Sequence, residues 1–480
     1  MPKDKMKRRN FLASSGLTFA SAAAAAKTVT STSNSKKNVL LYVVDDQGTD
    51  DAGCYGNPAI KTPGLDHLAD SGTRFTHSFC TTASCAASRS VILSGLYSHS
   101  NGMYGHSHAC HHFSSFDNFK SLPNQLGEAG YRTLSAGKYH VAPEPVYHFD
   151  NYIDLSAPVD MAEQSRELIS EKSNRPFFLY FCTTEPHRPF KRENTDPIAP
   201  EDVIVPPYLP DTPECRAELA EYYMSVQRAD SGLVRLIDIL KASGHWDDTL
   251  IIYISDNGIA FPGAKTTLYE PGMRLPCVVR DPYADKQGTV TDAMITWADI
   301  TPTILDFAGL PHETNFHDDV PIPDKMEFND TIPANEILHG RSFLPVLKND
   351  TSEGWDEIYA SHTFHEIYMY YPMRVARERR FKLIWNIAHQ LDYPFASDLH
   401  ASRTWQGILK NGEKIYGKRE IEAYLHRQQF ELYDLEKDPH EIENCADKRE
   451  YADILERLKT KLKQFQIRTD DRWIMKWEYE

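Results

Sequence analysis

The sequence has no excess of positive charge, no long apolar run, no closely paired cysteines and no internal repeat, and each absence closes off a class of function. Lys and Arg number 52 against 68 Asp and Glu, a formal net charge of -16. Proteins that grip phosphate backbones show a basic face, so no nucleic-acid partner is expected and an anionic substrate would need a locally positive pocket. No stretch approaches the roughly 20 apolar residues that cross a bilayer, so no transmembrane segment is expected. The cysteines Cys54, Cys80, Cys85, Cys110, Cys182, Cys215, Cys277 and Cys445 contain no Cys-x-x-Cys pair, which argues against both a zinc site and a small disulfide scaffold. One or two disulfides are left open.

What is present is ordinary globular composition, 41% hydrophobic and 25% charged over 480 residues. That length suits one large domain plus a smaller one. The start reads Lys5-Met6-Lys7-Arg8-Arg9-Asn10-Phe11-Leu12, then a short apolar stretch and Ala22 to Ala26. A basic start, apolar centre and small residues predict a signal peptide over residues 1–30. The paired arginines resemble a twin-arginine signal, which implies the twin-arginine export machinery as a partner and a periplasmic or secreted location. The plainer alternative is a basic tail.

Asn38-Val39-Leu40-Leu41-Tyr42-Val43-Val44 is almost wholly apolar and ends in Asp45-Asp46, the pattern of a strand buried on both faces. Similar runs lie at 176–183 and 249–255, and the spacing predicts a helix over 213–243 that stops at Gly244. Strands alternating with helices predict an α/β fold with a doubly wound, mostly parallel sheet. In such sheets ligands collect outside the carboxyl ends of the strands, where Asp45-Asp46, Thr184 to His187 and Asp256-Asn257 fall. Residues 311–340, rich in Pro, Asp, Asn and His, predict a surface loop. The catalytic domain is expected over 36–350. From about Trp355 the runs Arg379 to Trp385 and Phe430 to Leu435, and a helix over 451–467, predict a C-terminal α+β subdomain over 351–480, an antiparallel sheet with a packing helix.

Asp45, Asp46, Asp256 and Asn257 supply hard oxygen donors of the kind calcium or magnesium prefers. One such pair at a strand end is most often a cap or turn. Two pairs at the ends of separate strands make a metal site an equal alternative. Ser84-Cys85-Ala86-Ala87-Ser88-Arg89-Ser90 has the form Cys-x-Ala-x-Arg, followed by Val91-Ile92-Leu93-Ser94-Gly95. Taken alone it fits a buried cysteine beside a capping serine as well as it fits a nucleophile. Gly137-Lys138-Tyr139-His140, Pro186-His187-Arg188-Pro189-Phe190, Ser255-Asp256-Asn257-Gly258, Lys265 ahead of Leu268-Tyr269-Glu270, and Glu431-Leu432-Tyr433-Asp434-Leu435 with Asp438-Pro439 follow in order.

On these elements, running from about Asn38 to Asn444, the chain resembles the type I sulfatases. The resemblance implies an alkaline-phosphatase-like doubly wound mixed sheet flanked by helices. It also implies a formylglycine nucleophile (3-oxoalanine) made from Cys85 by a formylglycine-forming maturation enzyme. A hydrated aldehyde offers one hydroxyl to attack sulfur and a second to expel sulfate afterwards. Asp45, Asp46, Asp256 and Asn257, with an oxygen of the residue made from Cys85, would hold Ca2+, with Mg2+ as the alternative. Arg89 would hold the nucleophile, Lys138 and Lys265 would neutralise the sulfate, His140 would be the base of the elimination, and His187 the acid on the leaving atom.

The likeness is greatest to the sulfamidases, the N-sulfoglucosamine sulfohydrolases, through Asn101 to His106, His111-His112-Phe113, Ser115-Phe116-Asp117, Ser121-Leu122-Pro123, Pro143-Glu144, Asp256 to Ile259, Phe261-Pro262, His365-Glu366 and Tyr371 to Arg374. It implies exo action on N-sulfoglucosamine of heparan-type saccharides, with His365, Glu366 and His106 reading the sugar. Ala87 stands where sulfamidases carry proline and Lys265 where they carry arginine, and Gly272 to Pro276 reads like the general sulfatase text. Ala87 bears on which formylglycine-forming system matures the chain, while the other two departures keep open an O-sulfatase acting on another algal or host glycan. A phosphonate or phosphodiester hydrolase of the same fold is a further alternative, and a non-catalytic glycan-binding relative another. His106, His108, His111 and His112 could also read as a transition-metal site, but the oxygen cluster is the better metal site and these histidines are expected to line the pocket.

Overall fold

The computed structural model describes residues 37–316, 320–326, 337–348 and 352–479. The signal-peptide reading falls outside them. The main sheet has eight strands: β1 (Asn38–Val44), β2 (Thr73–Phe75), β3 (Arg132–Gly137), β4 (Asn151–Ile153), β5 (Phe177–Cys182), β6 (Thr249–Ser255), β7 (Cys277–Arg280) and β8 (Thr289–Thr291). Their spatial order is β4-β3-β5-β1-β6-β7-β2-β8. β4, β3, β5, β1 and β6 run parallel, whereas β7 is antiparallel to both β6 and β2. The sheet is therefore mixed.

Every residue of β1 is buried because both faces are covered. Val39, Leu41 and Val43 join one apolar cluster, and Leu40, Tyr42 and Val44 join another. That alternation is why the run carries no polar face. The first cluster reaches helices α2 (Cys85–Ser94) and α5 (Ile300–Ala308); the second lies under α1 (Pro63–Asp70), α3 (Pro158–Ser170) and the long α4 (Pro213–Ser243). Thr212 caps α4 by accepting from Cys215 N at 3.2 Å, and Gly244 ends it, as the spacing predicts.

The C-terminal sheet is antiparallel, in the order β9 (Glu357–His362), β10 (Met373–Glu378), β11 (Phe381–Asn386) and β12 (Phe430–Asp434). Helix α6 (Ala452–Arg468) packs on it through Leu458, Leu462 and Phe465. Phe465 stacks on Tyr359 with ring centroids 4.6 Å apart and meets Tyr97, beyond the C-terminal end of α2, edge-on at 4.8 Å. One apolar cluster thus runs through both sheets. All eight cysteines are free thiols.

Candidate active site

Four adjacent parallel strands, β3, β5, β1 and β6, end level with one another: Gly137 and Val43 both pair with Cys182, and Val44 pairs with Ser255. The segments leaving those ends carry Lys138 to His140, Thr184 to His187, Asp45-Asp46 and Asp256-Asn257. Backbone bonds continue the ladder past the strands, with Asp45 N donating to Glu185 O at 3.2 Å, Asp256 N to Val44 O at 3.0 Å and Lys138 N to Cys182 O at 3.0 Å. The functional side chains are thereby held by the sheet itself. Gly137 has φ +84, and a Cβ there would lie 2.1 Å from Cys182 O, so only glycine turns the chain out toward Lys138 and His140. Asp46 itself adopts φ +70, an unusual conformation for a residue with a side chain.

Helix α2 aims its N-terminus at this edge. Ser84 is extended at the N-cap, Cys85 opens the helix, and every residue of α2 is buried. The small side chains of Ala86, Ala87 and Ser88 let the first turn approach the strand ends, and Ser88 Oγ donates to Asp256 O at 2.6 Å. The helix N-terminus adds partial positive charge beside whatever anion binds there.

The side chains predicted as metal ligands converge. Asp45, Asp46, Cys85 and Asp256 each present an atom within 4.8 Å of the others, all buried. Cys85 Sγ lies 3.8 Å from Asp46 Oδ1, and Asn257 Nδ2 donates to Cys85 Sγ at 3.5 Å and to Asp256 Oδ1 at 2.7 Å. Three cations face the carboxylates. Arg89 Nε donates to Asp256 Oδ2 at 2.9 Å and one Nη to Lys138 O at 3.2 Å, while its other Nη forms an ion pair with Asp256 Oδ2 at 2.9 Å. Lys138 Nζ donates to Asp45 Oδ2 at 2.5 Å, and Lys265 Nζ to Asp46 Oδ2 at 2.9 Å.

These contacts set the protonation states. Burial raises the Asp45 carboxyl, but the Lys138 ammonium, with His187 and Arg89, outweighs it and holds that group well below the usual range. Asp46 is pushed up to about 6 by burial, which Lys265 only partly offsets, and Asp256 to about 6 by burial and the Asp45 charge. Such a surplus of buried carboxylate is what a divalent cation neutralises. Asp45 Oδ1 and Asn257 Oδ1 are buried without a hydrogen-bond partner, so the donor set fits a hard, oxygen-ligated cation. Burial raises the Cys85 thiol well above its ordinary value.

His187 stands at the outer edge with 29% of its side chain exposed, its Nε2 3.8 Å from both Asp46 Oδ2 and Asp398 Oδ2. Burial and Lys265 lower it to about 4. His140 Nε2 meets His108 Nδ1 at 2.7 Å, and burial and Lys138 lower the His140 imidazole well below its ordinary value. His106 and His365 meet through their Nε2 atoms at 3.0 Å, and His365 Nδ1 reaches Ser84 Oγ at 2.9 Å, so this pair backs the helix cap beside Cys85. Glu366 accepts from Ser397 Oγ at 2.6 Å, from Ser397 N at 3.1 Å and from the Tyr368 hydroxyl.

Sequence reasoning missed Asp398. It sits on the short helix Ser397–His400 and accepts from Lys265 Nζ at 3.1 Å. Nothing in Phe395-Ala396-Ser397-Asp398-Leu399 gives a signal: it is one aspartate in a connecting segment, brought in only by tertiary packing.

A family model described as sulfatase matches residues 37–310, and one described as N-sulphoglucosamine sulphohydrolase, C-terminal, matches 393–468. The human N-sulphoglucosamine sulphohydrolase is 35% identical, over 91% of this chain and 91% of that protein. An ulvan-active sulfatase of Formosa agariphila is 28% identical over 88% of this chain and 78% of its own. A solved structure in complex with its substrate D-glucosamine-2-N,6-O-disulfate superposes with a TM-score of 0.66 at 21% identity, covering 91% of this chain and 98% of that one. The chain belongs to the sulfatase family, hydrolases of sulfate esters or sulfamates, and carries the C-terminal domain of the N-sulphoglucosamine sulphohydrolases.

Proposed function

We propose that the protein removes the N-linked sulfate of glucosamine from the non-reducing end of heparan-type saccharides, using a formylglycine nucleophile made from Cys85. The observation that carries this reading is the placement of Cys85: at a helix N-terminus, between Asp46 and Asn257, ringed by Arg89, Lys138 and Lys265. An aldehyde hydrate at that position attacks sulfur where a thiol kept protonated by burial cannot. Asp45, Asp46, Asp256 and Asn257 would hold Ca2+, or Mg2+, which supplies Lewis-acid polarisation of the sulfate.

The remaining roles belong to the chain's own side chains. Arg89 fixes Asp256 and the Lys138 backbone, and so the floor on which the nucleophile stands. Lys138 and Lys265 neutralise the sulfate oxygens as charge develops, inside a site dry enough for those charges to count. His187, partly exposed and held neutral in the free protein by burial and Lys265, is placed to take up a proton from solvent when the anionic sulfate binds and to deliver it to the leaving atom. His140, on the opposite side beside His108, is placed to take the proton that starts the elimination of sulfate. The glucosamine specificity is supported by the human relative's identity, by the C-terminal domain, and by the glucosamine disulfate held in the superposed structure. Export by the twin-arginine route to the periplasm or beyond, and maturation by a formylglycine-forming enzyme, complete the proposal.

A second reading, an O-sulfatase on another polysaccharide, is favoured by Lys265 standing where sulfamidases carry arginine and by the ulvan-active relative. One experiment separates them. Protein made alongside a formylglycine-forming enzyme is analysed by mass spectrometry of the tryptic peptide carrying Cys85, then assayed on N-sulfoglucosamine and on O-sulfated monosaccharides. The proposal expects the thiol-to-aldehyde mass change and sulfate release from N-sulfoglucosamine. Release only from an O-sulfated sugar would transfer the assignment to the second reading, and aldehyde-bearing protein that turns over neither would leave a binding protein.

A further inference from the structure

Asp398 lies at the outer edge of the site beside His187, and its two oxygens are used differently. Oδ2 accepts from Lys265 Nζ at 3.1 Å and lies 3.8 Å from His187 Nε2. Oδ1 is buried and has no hydrogen-bond partner, although the side chain retains 21% exposure. Lys265 bridges inward to Asp46 and outward to Asp398, so under the proposed function a sulfate held on the inner side would leave the departing atom on the outer side, toward His187 and this carboxylate. Burial raises the Asp398 carboxyl, but Lys265 and His187 outweigh it and keep the group ionised.

We propose that Asp398 is a specificity-determining residue that accepts a hydrogen bond from the amine nitrogen of the leaving sugar through its free Oδ1, favouring sulfamates over sulfate esters. This rests on the sulfatase reading above and specifies its substrate class. The chemistry differs between the two substrates at one atom. When the S–N bond breaks, sulfur passes to the nucleophile's oxygen and the bonding pair stays on nitrogen, which takes the proton that His187 acquired from solvent as the anionic substrate bound. The resulting amine takes a second proton from water and is a cation near neutral pH. A sulfate ester releases a neutral hydroxyl. A carboxylate facing the departing atom stabilises the first product and does nothing comparable for the second. The residue sits in the segment matched by the N-sulphoglucosamine sulphohydrolase C-terminal model, so that domain supplies a side chain to the site as well as packing.

The test uses matured full-length enzyme with Asp398→Asn, Asp398→Ala and Asp398→Glu, each checked for aldehyde content and melting temperature. Three quantities are read: kcat/KM on N-sulfoglucosamine, kcat/KM on 4-nitrophenyl sulfate, and inhibition of the aryl reaction by free glucosamine against N-acetylglucosamine. A lost charge-assisted hydrogen bond predicts that Asp398→Asn lowers the N-sulfate to aryl-sulfate ratio by about tenfold or more. Inhibition by glucosamine should weaken, inhibition by N-acetylglucosamine should stay, and Asp398→Glu should recover part of the glucosamine effect. If both substrates fall by the same factor, or glucosamine inhibition is unchanged, Asp398 serves only to position Lys265 and His187 and the inference is overturned. Wild-type enzyme that ignores N-sulfoglucosamine would defeat the sulfamidase reading instead. The glucosamine inhibition data would still decide what Asp398 recognises.

Discussion

Arg89 shows how much of the site depends on the shape of one side chain. Its guanidinium reaches Asp256 with two nitrogens and Lys138 O with a third, and the Arg89 and Asp256 side chains are wholly buried. A lysine would keep the charge and lose the fork, because an ammonium is a point donor on a flexible stem. Arg89→Lys should therefore leave the protein folded but lower kcat/KM of matured enzyme by about 10²-fold, the usual effect of removing one preorganised donor; activity near wild type would show that charge alone suffices. Arg89, Lys138 and His140 were legible only through the resemblance of residues 85–89 and 137–140 to sulfatase motifs. Asp45, Asp46, Asp256 and Asn257 were legible as polar text at the ends of apolar runs. Asp398 was not, since its partner Lys265 lies far away along the chain and no local pattern links them.

At the level of elements, the long buried strands announced themselves by continuous apolar runs, while the short strands β2, β4 and β8 are three residues each and offer no period to read. β3 escaped as well. Arg132-Thr133-Leu134-Ser135-Ala136-Gly137 is buried on both faces by small and polar residues, so it lacks the apolar signature although it delivers Lys138. The C-terminal sheet was legible as strands and a helix, but the joint between them was not. Arg374 on β10 donates to Asp471, just beyond α6, from Nε at 2.5 Å and an Nη at 2.8 Å, with both side chains wholly buried. Gln466 Nε2 adds a bond to Asp471 at 2.8 Å, and Arg374 also donates to His362 O at 3.1 Å. Arg374→Ala strands a buried carboxylate and should cost about 3–5 kcal/mol in urea unfolding, whereas Arg374→Met with Asp471→Leu should recover most of it. A single variant within about 0.5 kcal/mol of wild type, the range of an ordinary surface substitution, would mean that water reaches Asp471 and the pair does not hold the helix.

Over the whole molecule, the seam between the main sheet and the C-terminal sheet is lined with histidines that folding keeps neutral. His99 reaches Ser361 Oγ at 2.8 Å and Thr469 Oγ1 at 2.9 Å, His362 reaches Thr82 Oγ1 at 3.2 Å, and His339 Nδ1 accepts from Tyr97 N at 3.2 Å. Burial lowers His99 to about 4, His339 to about 3 and His362 to about 3. An unfolded histidine titrates near about 6.5, so in all three cases the unfolded chain binds the proton more readily than the folded one. Stability from this source is fully present above about pH 6.5 and is lost as pH falls toward the folded values, each histidine giving up about 1.36 kcal/mol for every pH unit crossed between the two. Asp471 acts in the same direction further into acid: burial raises it, but Arg374 and His99 outweigh burial and hold the carboxyl below its ordinary range, so its contribution disappears only below about pH 3.9. These histidines should thus contribute a fall in the urea midpoint from about pH 6.5 to 4, opposed by the buried carboxyls of Asp51 and Asp230, which burial raises to about 7. His99→Gln keeps hydrogen-bonding capacity toward Ser361 and Thr469 but cannot take a proton, so it should make that fall shallower; an unchanged slope in the variant would place the acid sensitivity elsewhere than this seam.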